Sequence, residues 1–206
     1  MLSKQKLTDE IHDAFKKGLE KEKISTSDEE EKTFKSVYTE SNMAGFLADA
    51  IAKYASDAET ILQPGPFLYP APPPVLTSVD PTPPTVPAKV SDTDSTKGIL
   101  TNAFNASFQA QDPSMALVSL ALVSYCLTLV NFKSSIGCEA LGVTTMFVPP
   151  VFLPNIAAGL AGGSLLNQSQ VMASTIHASF MSCKFSGTVI KTSLGAAGPV
   201  IMSPLF

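Results

Sequence analysis

The chain has 206 residues, enough to bury a core, and 45% of them are hydrophobic while only 16% are charged. So few charges cover a folded surface poorly, and we expect a partner protein or a membrane to cover part of it. The 14 basic residues are all lysine and the net charge is −4. The absence of arginine, whose planar guanidinium group binds phosphates, and the acidic net charge argue against nucleic-acid binding and against phosphoryl-transfer enzymes.

The cysteines and the first residues indicate the compartment. Cys126, Cys138 and Cys183 are odd in number and widely spaced, which favours reduced thiols in a cytosol over a secreted disulfide framework. Residues 1–10 are polar and charged, and no signal peptide is recognisable in them. We therefore expect the chain to fold in a cytoplasm.

The N-terminal part, residues 1–61, is predicted to be a charged helical domain. Residues 1–60 carry 22 of the 32 charged side chains. The spacing of apolar residues predicts amphipathic helices. The first has Leu7, Ile11, Phe15 and Leu19 on its apolar face. Ser27 and Glu30 have the spacing of a capping box before Phe34 and Val37, which predicts a second helix start. The third helix has Met43, Phe46, Leu47, Ile51 and Tyr54 on its apolar face.

Residues 62–97 form a proline-rich segment. Ten of the 16 prolines lie between Pro64 and Pro87, which favours extended polyproline-like backbone. One interpretation is a semi-rigid spacer. The other is a docking arm, because Pro66, Phe67, Leu68 and Tyr69 set large apolar side chains on stiff backbone, which would be buried against another chain.

The third part, residues 98–206, carries only five charged side chains. Asp112 followed by Pro113 predicts a helix start, and we expect this helix to run to about Phe132. A second helix is expected after Asn167. A short edge strand is expected near 142–153 and an extended C-terminus beyond it. The predicted fold class is therefore mainly α, with helical hairpins joined by extended proline-rich arms.

Three pairs of helix signatures recur faintly along the chain, and they indicate either a threefold repeat or a coincidence, because amphipathic helices share these spacings. The first-helix signatures are Ile11-x-x-Ala14-Phe15, Leu100-x-x-Ala103-Phe104 and Ile156-x-x-Gly159-Leu160. The second-helix signatures are Ala48-x-x-Ile51, Ser119-x-x-Leu122 and Ala173-x-x-Ile176, each followed by an aromatic residue. Each unit then ends in prolines with large apolar residues. The repeat predicts three helical hairpins, each followed by an extended apolar tail.

The sequence contains no recognisable catalytic, cofactor or metal site. His12 lies on the polar side of a charged helix, and His177 lies in an apolar helix six residues before Cys183. No pair of ligands has the spacing of a zinc site. A Cys–His nucleophile pair stays open because such partners are distant along a chain. We expect a non-enzymatic protein without cofactors, whose thiols are small core residues.

A membrane protein is the alternative interpretation. Residues 114–132 are uncharged and nearly long enough to span a bilayer, and residues 140–183 carry no formal charge. The second stretch is broken by Pro149, Pro150 and Pro154, and unpaired backbone there would be costly in lipid. We therefore favour protein packing over membrane insertion.

Helix pairs, a proline-rich joint, the absence of arginine and tryptophan, and a Ser/Ala/Gly/Thr-rich apolar C-terminal half together resemble virion structural proteins of tailed bacteriophages. The resemblance extends over most of the chain and is nearest to baseplate or tail subunits of contractile-tailed phages. It implies a multi-copy subunit that is assembled in the bacterial cytoplasm and incorporated into the virion.

The expected function is to pack against other structural chains, in several copies within a symmetric assembly, without nucleic acid. The large apolar residues of the proline-flanked segments and the C-terminus are the expected interface. They are Pro66, Phe67, Leu68, Tyr69, Phe147, Val151, Phe152, Leu153, Ile201 and Phe206.

Overall fold

The computed structural model describes residues 1–26, 43–62, 86–112, 114–134, 137–152, 164–191 and 196–205. The helices of this part are α1 (Lys4–Thr26), α2 (Met43–Ala55), α3 (Gly98–Gln109), α4 (Ala116–Cys126) and α5 (Leu165–Met181). The strands are β1 (Glu59–Leu62), β2 (Val86–Val90), β3 (Asn131–Ser134), β4 (Cys138–Thr145), β5 (Lys184–Lys191) and β6 (Ala196–Pro204).

The prediction of a mainly helical fold is wrong, because the strands form one six-stranded antiparallel sheet in the order β1-β2-β3-β4-β5-β6. The short edge strand expected near 142–153 is the longer β4, which pairs with β3 on one side and β5 on the other. Pro149 and Pro150 come after the end of β4 and leave its ladders intact. The extended C-terminus is the paired strand β6.

The prolines of the sheet occupy positions that tolerate a missing N–H donor. Pro199 lies in β6, which pairs with β5 at one end of the strand order. Pro87 lies opposite Ile61 of β1, whereas the ladder between β2 and β3 begins at Ala88. Each of these two prolines therefore has a ladder partner on one side only, as expected for proline in sheets.

The sheet is curled so that its first and last strands meet at one end. Thr60 of β1 forms a single bridge with Leu205, and its Oγ1 donates a hydrogen bond to the Pro204 carbonyl at 3.2 Å. The sheet is therefore a half-barrel in which β1 and β6 touch. Strands from all three segments of the sequence, 1–61, 62–97 and 98–206, belong to it.

The helices form a layer in which neighbours pack in the order α5-α1-α2-α3-α4. Their apolar faces share one hydrophobic core with the inner face of the sheet. Leu7, Ile11, Leu47, Ile51 and Tyr54, expected on apolar helix faces, are all buried in it. Ion pairs lie on the solvent side of the layer. They join Lys6 to Asp57, Lys53 to Glu10, and Lys97 to Asp49.

Helix boundaries differ from the predicted ones. Asp112 does accept backbone N–H groups, from Ser114 at 2.8 Å and from Ala116 at 3.4 Å. The helix ends at Cys126, and Phe132 lies in β3, its ring centroid 4.6 Å from that of Phe185. The predicted helix to Phe132 was too long because an apolar run does not distinguish a helix from a helix followed by a buried strand.

Helix α5 begins earlier than predicted. Ser164, rather than Asn167, is the capping residue, and its Oγ accepts the Asn167 N–H at 3.3 Å. None of the described helices is long and apolar enough to cross a membrane.

The described elements agree with the threefold repeat. Repeat 1 consists of α1, α2, β1 and β2, and repeat 2 consists of α3, α4, β3 and β4. Repeat 3 contributes α5, β5 and β6, while its first-helix signature, Ile156-x-x-Gly159-Leu160, lies outside the described residues. In each repeat the second helix leads into a pair of adjacent antiparallel strands and not into the expected apolar tail.

The repeats match residue by residue from the second helix into the turn after it. Ile51, Leu122 and Ile176 are all fully buried. Seven residues later, Ala58, Leu129 and Cys183 are again fully buried, and each donates its N–H to the carbonyl three residues before it, at 2.9, 3.0 and 3.0 Å. The same backbone turn therefore leads from each second helix into its strands.

Candidate interaction surface

Strand β4 exposes an apolar outer face. Apart from Glu139, its residues are β-branched or apolar, which favours a strand, and the residues of β4 alternate between the core and the solvent. Cys138, Ala140 and Thr144 point inward, whereas Leu141 and Val143 point outward with 57% and 50% of their surfaces exposed. An outer face of an antiparallel sheet is ordinarily polar, so these two side chains are unusual.

The apolar surface continues past the end of β4. Phe147 is 51% exposed, Val148 57% and Val151 64%. We call Leu141, Val143, Phe147, Val148 and Val151 the β4 ridge. The backbone N–H of Val148 donates a hydrogen bond to the Ser182 side-chain Oγ at 2.9 Å, which holds the middle of the ridge against the end of α5.

Polar side chains border the ridge. Leu141 lies opposite Asn131 on β3 and Thr188 on β5, and Val143 lies opposite Ser186. The Lys184 Nζ lies 5.2 Å from the Phe147 ring centroid, a cation–π contact. An apolar centre with a polar border is typical of protein–protein interfaces.

The repeats provide an internal comparison for the surface of α4. Leu117 and Leu120 are exposed on α4, and Leu127 is exposed directly after it. Counting from the second-helix signatures, the equivalents of Leu120 are Asp49 and Ser174, both exposed. Leucine therefore occupies in repeat 2 a solvent position that is polar in the other two repeats. At this position the outer surface of repeat 2 is apolar.

The interface residues predicted from the sequence differ in their exposure in the structure. Phe147 and Val151 are exposed and belong to the ridge. Phe152 is only 1% exposed and packs in the protein's own core, so it is not available to a partner. The other predicted residues are Pro66, Phe67, Leu68, Tyr69, Leu153 and Phe206, which lie outside the described residues, and Ile201, of which only the backbone, in β6, is described.

The proline-rich segment is anchored in the sheet on both sides. Leu62, the last residue of β1, pairs with Val86, the first residue of β2. Residues 63–85, which lie outside the described part of the chain, therefore connect two adjacent positions of the sheet. The docking of Phe67, Leu68 and Tyr69 against another chain stays a prediction.

Sequence reasoning missed Leu141, Val143 and Val148. The burial of residues 138–145 alternates between inward and outward positions, but apolar and polar residue types do not alternate with it in the sequence. Because outward Leu141 and Val143 are as apolar as the inward residues, the run was indistinguishable by hydropathy from a wholly buried segment.

Tyr54 and His177 form the most notable polar contact of the core. The Tyr54 hydroxyl lies 2.6 Å from His177 Nδ1, and the Tyr54 ring makes an edge contact with Phe180. Burial raises the pKa of Tyr54, and the nearby Cys183 adds to this effect. Burial, with a smaller contribution from Lys4, lowers the pKa of His177. A neutral histidine therefore accepts from a neutral tyrosine, which satisfies a buried hydroxyl and provides no nucleophile.

Cys126 and Cys183 are brought together by the fold, with their Sγ atoms 3.3 Å apart and both residues fully buried. No sequence pattern indicated this pairing, because the two residues lie far apart along the chain. The partner of His177 Nδ1 is the Tyr54 hydroxyl and not a cysteine. Over the described residues, no group of three or more His, Cys, Asp or Glu side chains could hold a metal ion.

Comparisons of the chain with protein-family models, with curated proteins and with solved structures find no match.

Proposed function

We propose that the chain is a non-enzymatic structural subunit of a larger protein assembly and that the β4 ridge packs against another structural chain. The observation that carries this proposal is the exposure of two large apolar side chains on the outer face of β4 and of three more in the segment that follows it. Each such side chain contributes about 1.5–3 kcal/mol when it is buried. An interface centred on the ridge would therefore gain substantially from covering it.

The placement of charge supports the same proposal. The charged side chains near the ridge lie at its border. Glu139, two residues before Leu141 on β4, pairs with Lys133 at 3.5 Å, and Lys184 lies over the Phe147 ring. Depletion of charge at the centre of a patch is a mark of interfaces. From the resemblance to virion proteins of contractile-tailed phages, we propose that this assembly is a phage tail or baseplate. The subunit would be incorporated into it in the bacterial cytoplasm.

Self-association of the purified protein tests the proposal. We expect the wild-type chain to form oligomers whose mean mass rises with concentration, because exposed apolar patches associate. The double variant Leu141→Thr/Val143→Thr should shift this equilibrium toward the monomer while keeping the far-ultraviolet circular dichroism of the wild type. Threonine retains β-branching and suits a solvent-facing strand position.

The matched control is Ile61→Thr, which replaces an exposed apolar residue on β1 of the same sheet. This variant should associate as the wild type does. A wild-type chain that remains a monodisperse monomer at high concentration in light scattering would contradict the proposal. If Ile61→Thr weakened self-association equally, association would be non-specific and would not depend on the β4 ridge.

A further inference from the structure

The Cys126–Cys183 pair joins two repeats at the centre of the molecule. Cys126 is the last residue of α4 in repeat 2, and Cys183 directly precedes β5 in repeat 3. Both thiols are free, and their sulfur atoms are 3.3 Å apart. A disulfide bond is about 2.05 Å long, so the two sulfur atoms need to approach by only about 1 Å for a bond to form.

The surroundings of Cys183 keep its thiol protonated in the reduced protein. The hydrogen bond with Cys126 and then burial raise the pKa of Cys183. The Cys183 thiol also donates to the Ser179 carbonyl at 3.6 Å. Since the thiolate is the reactive form, the Cys183 thiol reacts slowly, and the pair stays reduced in a cytosol that holds glutathione and thioredoxin.

We infer that Cys126 and Cys183 are an oxidisable dithiol that closes to an intramolecular disulfide once the subunit leaves a reducing cytoplasm. The biological setting rests on the proposed function, in which a subunit assembled inside a cell is later released in a particle. The disulfide would tie repeat 2 to repeat 3 through the core. It would thus fix the helix layer to the sheet in the environment where disulfides persist.

The chemistry balances with a peroxide as the oxidant. One cysteine sulfur attacks hydrogen peroxide, giving a sulfenic acid and one water. The second sulfur then attacks the sulfenic sulfur, forming the S–S bond and releasing a second water. Two S–H bonds and one O–O bond are broken in total, and the two electrons lost by the sulfur atoms reduce the peroxide.

The experiment exposes the reduced full-length chain to hydrogen peroxide, unfolds it in denaturant with N-ethylmaleimide to block the remaining thiols, and digests it under non-reducing conditions. We expect a peptide in which Cys126 is linked to Cys183, while Cys138 carries the maleimide. Because the crosslink constrains the unfolded chain, the Tm of the oxidised protein should rise by roughly 5–10 °C, and a reductant should reverse this rise.

Single alanine variants provide the controls. Cys138→Ala should form the same disulfide and show the same rise in Tm, whereas Cys126→Ala and Cys183→Ala should show neither. The inference is overturned if Cys126 and Cys183 are still alkylated on unfolding after natively folded wild-type and Cys138→Ala proteins have been treated with peroxide. It is also overturned if the disulfide involves Cys138. Association through the β4 ridge is measured separately, so the two proposals fail independently.

Discussion

The contact between Tyr54 and His177 gives a buried hydroxyl its hydrogen-bond partner. The Tyr54 side chain is fully buried, and its hydroxyl has the His177 Nδ1 within 2.6 Å. An unsatisfied buried hydroxyl costs about 1–3 kcal/mol. This contact fastens α2 of repeat 1 to α5 of repeat 3, so the histidine serves packing between repeats.

The lowered pKa of His177 predicts a pH dependence of stability. Burial favours the neutral ring, so the folded-state pKa lies below the value of about 6.5 that holds in an unfolded chain. As the pH falls through that value, the unfolded state binds a proton that the folded state resists. The free energy of unfolding should therefore decrease between about pH 7.5 and about pH 5.5, as measured by urea titration at each pH.

The variant His177→Gln isolates this contribution. Glutamine keeps an acceptor for the Tyr54 hydroxyl but does not titrate, so the decrease toward low pH should become smaller. His12→Gln removes the other histidine of the sequence and serves as the control, with the wild-type decrease retained. A His177→Gln profile identical to that of the wild type would contradict the assignment.

At the scale of elements, strands β4 and β5 approach each other most closely at a pair of glycines. Gly142 lies directly opposite Gly187. A Cβ on Gly142 would lie 2.0 Å from the Ser186 carbonyl oxygen, and one on Gly187 would lie 2.3 Å from the Leu141 carbonyl oxygen. A register irregularity between β5 and β6 occurs at the same place, between Phe185 and Gly187.

This close approach predicts the effect of adding one methyl group. Gly142→Ala should lower the free energy of unfolding by about 3 kcal/mol, because backbone atoms of two paired strands cannot move aside cheaply. Gly45→Ala is the matched control in α2, where an added Cβ meets nothing within 4 Å. That variant should be more stable by about 0.5–1 kcal/mol. Chemical denaturation measures both, and equal stability of the two variants would contradict the prediction.

At the scale of the whole molecule, the three repeats share one sheet and one core. Strand β2 of repeat 1 pairs with β3 of repeat 2, β4 pairs with β5 of repeat 3, and β6 touches β1. Each repeat therefore completes the hydrogen bonding of the next. The buried residues of all three belong to the same cluster.

This sharing predicts a single cooperative unfolding transition. Urea curves from far-ultraviolet circular dichroism and from tyrosine fluorescence should coincide, because Tyr54 and Tyr125 report on repeats 1 and 2 while the backbone signal reports on all elements. The reduced protein should be used, so that the Cys126–Cys183 pair adds no crosslink. Two separated transitions would show that the repeats fold independently, as units of a solenoid can.

Features that depend on local chemistry could be predicted from the sequence. Spacings of three and four residues located the apolar faces of α1 and α2, and the signatures around Ile51, Leu122 and Ile176 revealed three similar units. Asp112 followed by Pro113 marked a helix start to within one turn. Neighbours within a few residues determine these features, so a linear pattern is enough to predict them.

The sheet, the ridge and the thiol pair depend instead on contacts between distant residues. The segments after each second helix are apolar, and only pairing with a distant strand makes them β4, β5 or β6 and exposes Leu141 instead of burying it. Cys126 and Cys183 meet because two repeats pack together. The free energy of strand pairing and of core contacts depends on the partner that the fold supplies, and no local pattern records that partner.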